Sequence, residues 1–184
     1  MTKKLLTILL GGTLILGIAT GCTEQKQDES QKNEVQEKSK GHCEAEECIK
    51  LIEPKMQVEE VNEIIGFAGE KKEGSNTYIW QLTEKTKIEV EYKDGLGTIT
   101  AKMDKDKISN DKLKISVCYD IQSSIKSGTT FTYEEMVEKF EGIEGYLETK
   151  APTFKMYMWV KDGQTFRATF SDSLNGKCSM VSLR

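Results

Sequence analysis

Residues 131–142 read Phe-Thr-Tyr-Glu-Glu-Met-Val-Glu-Lys-Phe-Glu-Gly, and residues 56–66 carry an earlier version, Met-Gln-Val-Glu-Glu-Val-Asn-Glu-Ile-Ile-Gly. A segment that recurs at long range outranks any single motif, because each copy marks one supersecondary unit. Tyr133, Met136, Val137 and Phe140 fall at i, i+3, i+4 and i+7, which is one apolar stripe of a helix. Thr132 with Glu135 three residues on is a capping-box start, and Gly142 is a stop. In the first copy Val58, Val61, Ile64 and Ile65 supply the stripe and Gly66 the stop. A short helix is expected ahead of each copy, over 44–52 before Pro54 and over 113–125 before Gly128.

Strands follow each copy in the same order. Thr77-Tyr78-Ile79-Trp80 answers to Met156-Tyr157-Met158-Trp159, and Ile88-Glu89-Val90-Glu91-Tyr92 to Phe166-Arg167-Ala168-Thr169-Phe170. A third strand is expected over 98–103 and again over 178–183. The offset is 75 residues in the helices and 78–79 in the strands, so a small insertion separates them. Alternation puts Ile88, Val90 and Tyr92 inward with Glu89 and Glu91 outward. Asp94-Gly95 and Asp162-Gly163 are hairpin-turn signals. The fold class is therefore α+β, with two tandem repeats. Each is a helix pair packed on an antiparallel sheet of three to four strands, one face covered and the other open. Repeat 1 spans 43–107 and repeat 2 spans 108–184, joined by a polar linker over 104–112.

Residues 1–21 read as an export signal. Lys3 and Lys4 precede an apolar run with glycines inside it, shorter than the ~18–20 residues of a spanning helix. Small residues Ala19, Thr20 and Gly21 then precede Cys22. This segment resembles a bacterial lipoprotein signal, which implies diacylglycerol on the Cys22 sulfur and cleavage just before it. Ala19 stands where such signals prefer leucine. Residues 23–42 have Val35 as their one aliphatic side chain and are expected to be a disordered tether, so 22–42 is the lipidated cysteine and its spacer. The expected location is the extracytoplasmic face of a Gram-positive-like cell membrane. The lipid supplies about 0.8 kcal/mol per buried methylene.

Charge narrows the partners. The 184-residue chain has a formal net charge of −4, which becomes −6 without Lys3 and Lys4. That argues against nucleic acid, whose backbone requires clustered cations. Besides Cys22, four cysteines remain: Cys43, Cys48, Cys118 and Cys178. An even set in an exported chain reads as disulfides, with Cys43–Cys48 and Cys118–Cys178 the favoured pairs among three connectivities. If 43–48 is helical, the first pair needs an unwound turn. A metal site at His42, Cys43 and Cys48 lacks a fourth ligand, so no metal and no cofactor is expected.

The tandem helix-helix-sheet arrangement resembles the β-lactamase inhibitory protein-like superfamily, over roughly residues 45–184. The carrying segments are Thr132 to Val137, Tyr157 to Trp159 and the lipoprotein leader, as in uncharacterised Gram-positive lipoproteins of that superfamily. The resemblance implies a binding module without a catalytic site, whose open sheet face and hairpin loops grip a protein partner. No contact residue of the inhibitors carries over to this chain.

The residue inventory also argues against an enzyme. The single histidine, His42, falls in the tether, so no histidine-based triad can form. Adjacent carboxylates such as Glu59-Glu60 and Glu134-Glu135 sit at helix starts, where they favour the positive helix end. No small-molecule substrate is expected. The strand Met156 to Val160 is apolar on both faces, so its second face is either buried between the repeats or exposed as a sticky patch. Tyr78, Trp80, Tyr157 and Trp159 are accordingly the partner-binding candidates. The expected function is a lipid-anchored protein-binding module that inhibits or regulates an envelope enzyme, or else a structural lipoprotein of an envelope complex.

Overall fold

The computed structural model describes residues 43–184; the leader, Cys22, the tether and His42 lie outside the described residues. Helices α1 (Ala45–Leu51) and α2 (Val58–Ile65) lead into β1 (Glu70–Lys71), β2 (Thr77–Gln81), β3 (Lys87–Lys93) and β4 (Leu96–Lys102). A short α3 (Lys105–Ile108), α4 (Ile115–Lys126) and α5 (Tyr133–Lys139) lead into β5 (Tyr146–Lys150), β6 (Phe154–Lys161), β7 (Gln164–Ser171) and β8 (Lys177–Leu183). The fold is α+β, and its eight strands form one antiparallel sheet in chain order.

Local chemistry sets the element ends. The Thr132 hydroxyl accepts the Glu135 N–H while the Glu135 carboxylate accepts the Thr132 N–H, the expected capping box. Glu60 likewise accepts the Gln57 N–H at 2.8 Å at the start of α2. Both residues of Asp94-Gly95 and of Asp162-Gly163 take positive φ, the geometry of a two-residue hairpin turn, and they close β3–β4 and β6–β7.

Register then assigns the faces. Trp80 pairs with Ile88, Ile88 with Ala101 and Val90 with Ile99, all toward the helices, where Ile49, Ile52, Val61 and Ile65 complete one core cluster. Trp159 pairs with Phe166, and these join Ala168 and Phe170 against Cys118, Ile121, Met136 and Phe140 in a second cluster. Each large apolar side chain buried in this way contributes about 1.5–3 kcal/mol.

The two clusters meet at β6. Met158 and Val160 point to the side opposite Trp159, yet both are 1% exposed and belong to the first cluster. The second apolar face of this strand is therefore buried by the first half of the chain. The join itself is narrow: β4 and β5 share only the pairs Ile99–Lys150 and Thr100–Thr149. Lys150, with 8% of its side chain exposed, braces it by donating to the Lys50 carbonyl at 3.1 Å and pairing with Glu53 at 2.6 Å. The expected polar linker is also structured. Asp104 caps α3, Ile108 packs on the first cluster, and the Asn110 N–H donates to the Val160 carbonyl at 2.8 Å.

Candidate binding surface

Of the four aromatic candidates, the tryptophans are core residues. Trp80 is 0% exposed and donates its Nε1–H to Asn62 Oδ1 at 2.9 Å; Trp159 is 1% exposed and donates to the Ile143 carbonyl at 2.9 Å. The pairing of Trp80 with Ile88 and of Trp159 with Phe166 turns both rings toward the helices, which corrects the expectation that they anchor a partner. Sequence alternation is symmetric between faces, so it could not choose this one. Tyr78 and Tyr157 are half-buried on the same face. Tyr78 packs edge-on to Tyr92 at 6.0 Å, and Tyr157 lies 4.2 Å from Tyr133 between ring centroids. Burial pushes the Tyr133 phenol up to about 12, and burial with Glu134 also raises Tyr157, so neither serves as an acid or base near neutrality.

Cys43 and Cys48 form a disulfide with Cα atoms 5.7 Å apart. Cys43 precedes α1, which supplies the non-helical turn that this spacing requires. Cys118 and Cys178 are free, buried thiols on α4 and β8, a correction to the expected second bridge. Both pack as small apolar groups in the second cluster. Burial pushes the Cys118 thiol up to about 11 and raises that of Cys178, whose sulfur donates to the Met180 carbonyl at 3.2 Å.

With the helices on one face, alternation leaves polar side chains on the other in β3, β4 and β7, whereas β6 places the buried Met158 and Val160 there. Strand β3 presents Lys87, Glu89 and Glu91 there, and β4 presents Thr98, Thr100 and Lys102. Strand β7 adds Arg167 and Thr169, and β8 adds Met180, which is 66% exposed. Lys87 pairs with Glu89. Arg167 grips Glu148 with a two-pronged contact, Nε at 2.5 Å and Nη2 at 2.8 Å, leaving 21% and 15% of the two side chains exposed. This surface mixes threonines with two paired sets of charges, while Glu91 and Lys102 make no ion pair among the described residues.

The concavities add little chemistry. A cleft of about 470 Å³ lies between Glu46, the α3–α4 segment and the loop before β5. Of its three carboxylates, Glu46 and Glu141 pair with Lys50 and Lys114, and Glu144 makes no ion pair among the described residues. A groove of about 290 Å³ runs beside Tyr133, Tyr157 and Phe170. Among the described residues no group of three or more histidine, cysteine or acidic side chains could hold a metal, and no helix is long and apolar enough to cross a membrane. Comparison with family models, with curated proteins and with solved structures finds no match.

Proposed function

We propose that this chain is a lipid-anchored, extracytoplasmic protein-binding module, built of two tandem helix-pair-and-sheet repeats of the β-lactamase inhibitory protein-like kind. The repeat reading is supported by paired details. A glutamate caps α2 at Glu60 and α5 at Glu135, glycines Gly66 and Gly142 end the two helical segments with positive φ, and an Asp-Gly turn follows in each half. In each half a glycine also lies flat on the buried tryptophan, Gly69 on Trp80 and Gly145 on Trp159.

The observation that carries the binding reading is the sheet face away from the helices, polar at β3–β4 and again at β7–β8, with Met158 and Val160 of β6 buried between these two stretches. A surface of threonines and charges, with Lys87–Glu89 and Arg167–Glu148 paired across it, suits a polar, shape-matched protein contact. Lipid at Cys22 raises the effective concentration for partners at the same membrane.

Cross-linking on intact cells tests this with the full chain. Wild type is expected to fractionate with the membrane and capture a specific envelope protein. Cys22→Ser should lose the membrane association, and Thr98→Arg with Thr169→Arg on the open face should lose capture while keeping the fold. Equal capture by the open-face variant would remove this surface, and no specific partner at all would remove the binding reading.

A further inference from the structure

The two ends of the sheet are finished differently. Strand β1 is two residues long, and both, Glu70 and Lys71, are exposed and charged, the usual protection of a sheet edge. Strand β8 runs Lys177–Leu183 and has no acid, no proline and no charge after Lys177. Thr165 and Arg184 exchange both backbone hydrogen bonds, at 2.7 and 3.0 Å. Antiparallel alternation then directs Ser182 and Met180 toward β7, and Val181 and Leu183 outward. The outward N–H and C=O groups of Val181 and Leu183 meet no hydrogen-bonding partner among the described residues.

The chain itself begins a ninth strand here and abandons it. Phe131 bridges Cys178 antiparallel, with the Cys178 N–H donating to the Phe131 carbonyl at 2.7 Å, and the backbone then turns away into α5. Apolar surface flanks the open rungs. Met180 is 66% exposed beside them, and Tyr119, on the helix that packs over β8, is 56% exposed.

We infer that the outer edge of β8 takes up an extended peptide segment of a protein partner as a ninth strand, with neutral residues at its centre and acidic residues at its ends. The ends follow from charge: Lys177 and Arg184 bracket the open rungs, and β8 carries no acid between them. A second copy of this chain fits less well. Self-pairing centred on Ser182 would bring Arg184 of each copy against a strand that carries no acid. The inference rests on the protein-binding reading but uses the sheet's edge in place of its open face.

The test uses the full chain and synthetic peptides. One peptide alternates Thr and Val with Asp-Asp at each end, a second has Lys-Lys ends, and a third has proline at its centre. The acidic-ended peptide should bind about tenfold more tightly than the lysine-ended one, from a few exposed ion pairs gained in place of repulsions. It should also slow amide exchange at Val181 and Leu183 by about tenfold. Val181→Pro removes an outward N–H, a change that edge strands tolerate, and should abolish binding in a chain that still unfolds cooperatively. Val181→Ala, which loses the same packing on the second cluster but keeps the N–H, should lower the midpoint alike and still bind.

Equal affinity for the three peptides, unprotected edge amides, or unchanged binding by Val181→Pro would overturn the proposal. So would a concentration-dependent dimer that Val181→Pro dissolves, since the occupant would then be a second copy. Peptide binding without any envelope partner leaves this edge assigned and removes the broader reading. An open-face partner without peptide binding does the reverse.

Discussion

Gly145 lies flat against Trp159, and a Cβ built there would stand 2.6 Å from Cζ2 of the indole; at Gly69 the corresponding atom would stand 2.4 Å from Cε2 of Trp80. Both are ring atoms of a buried side chain held through the neighbouring Nε1–H, Trp159 by Ile143 and Trp80 by Asn62. The ring cannot swing away without giving up that bond. Gly145→Ala should therefore destabilise the fold by about 1–3 kcal/mol, the usual range for overpacking a filled core. Urea unfolding followed by tryptophan fluorescence measures it, and an unchanged midpoint would show that the loop before β5 shifts without cost. Neither glycine has a positive φ. Read from sequence, Gly145 looks like turn punctuation, and only the packed indole shows that its missing side chain is what matters.

At the level of elements, helix α5 shows how far local chemistry reaches. It is seven residues long, too short to persist alone in water, and its start depends on the reciprocal bonds between Thr132 and Glu135. Thr132→Ala should cost about 1 kcal/mol by orphaning the Glu135 N–H, read as a lower denaturant midpoint with unchanged slope. A Thr132→Ser variant should recover most of the loss, since it restores the acceptor oxygen. The same local signals made the helix stripes, the two Asp-Gly hairpins and the alternation of β3 legible in the sequence, because each depends on neighbours within a few residues. The tryptophan face was not legible. It is decided by the pairing of β2 with β3 and of β6 with β7, and period-two alternation fits either choice. The structured 104–112 segment escaped for a related reason: Ile108 among charged residues reads as a linker until Val160 is seen to receive it.

Across the whole molecule, the second core cluster holds groups that ionise only in alkali. Cys118 and Cys178 are buried thiols of that cluster, and Tyr133 packs against it. The Cys118 thiol rises from its ordinary 9.0 to about 11 and the Tyr133 phenol from 10.0 to about 12, both chiefly through loss of hydration. Below pH 9 the thiol is neutral whether the chain is folded or not, so it adds no pH dependence. Above pH 9 the unfolded chain releases the thiol proton while the folded one retains it, and stability falls as pH rises toward 11. Tyr133 acts in the same direction from pH 10 to 12. For Cys118 alone the linkage is about 2–3 kcal/mol, a sizeable part of the roughly 5–15 kcal/mol that holds an ordinary domain together. Thermal midpoints should therefore be level from pH 7 to 8.5 and decline steadily above 9. Cys118→Ala should remove part of that decline between pH 9 and 11 even though it lowers the midpoint at pH 7. A wild-type midpoint at pH 11 equal to that at pH 7 would contradict a buried thiol at position 118. So would thiol titration of the unfolded, unreduced chain that finds Cys118 and Cys178 bridged. The second result would return the second disulfide to the core in place of two free sulfurs.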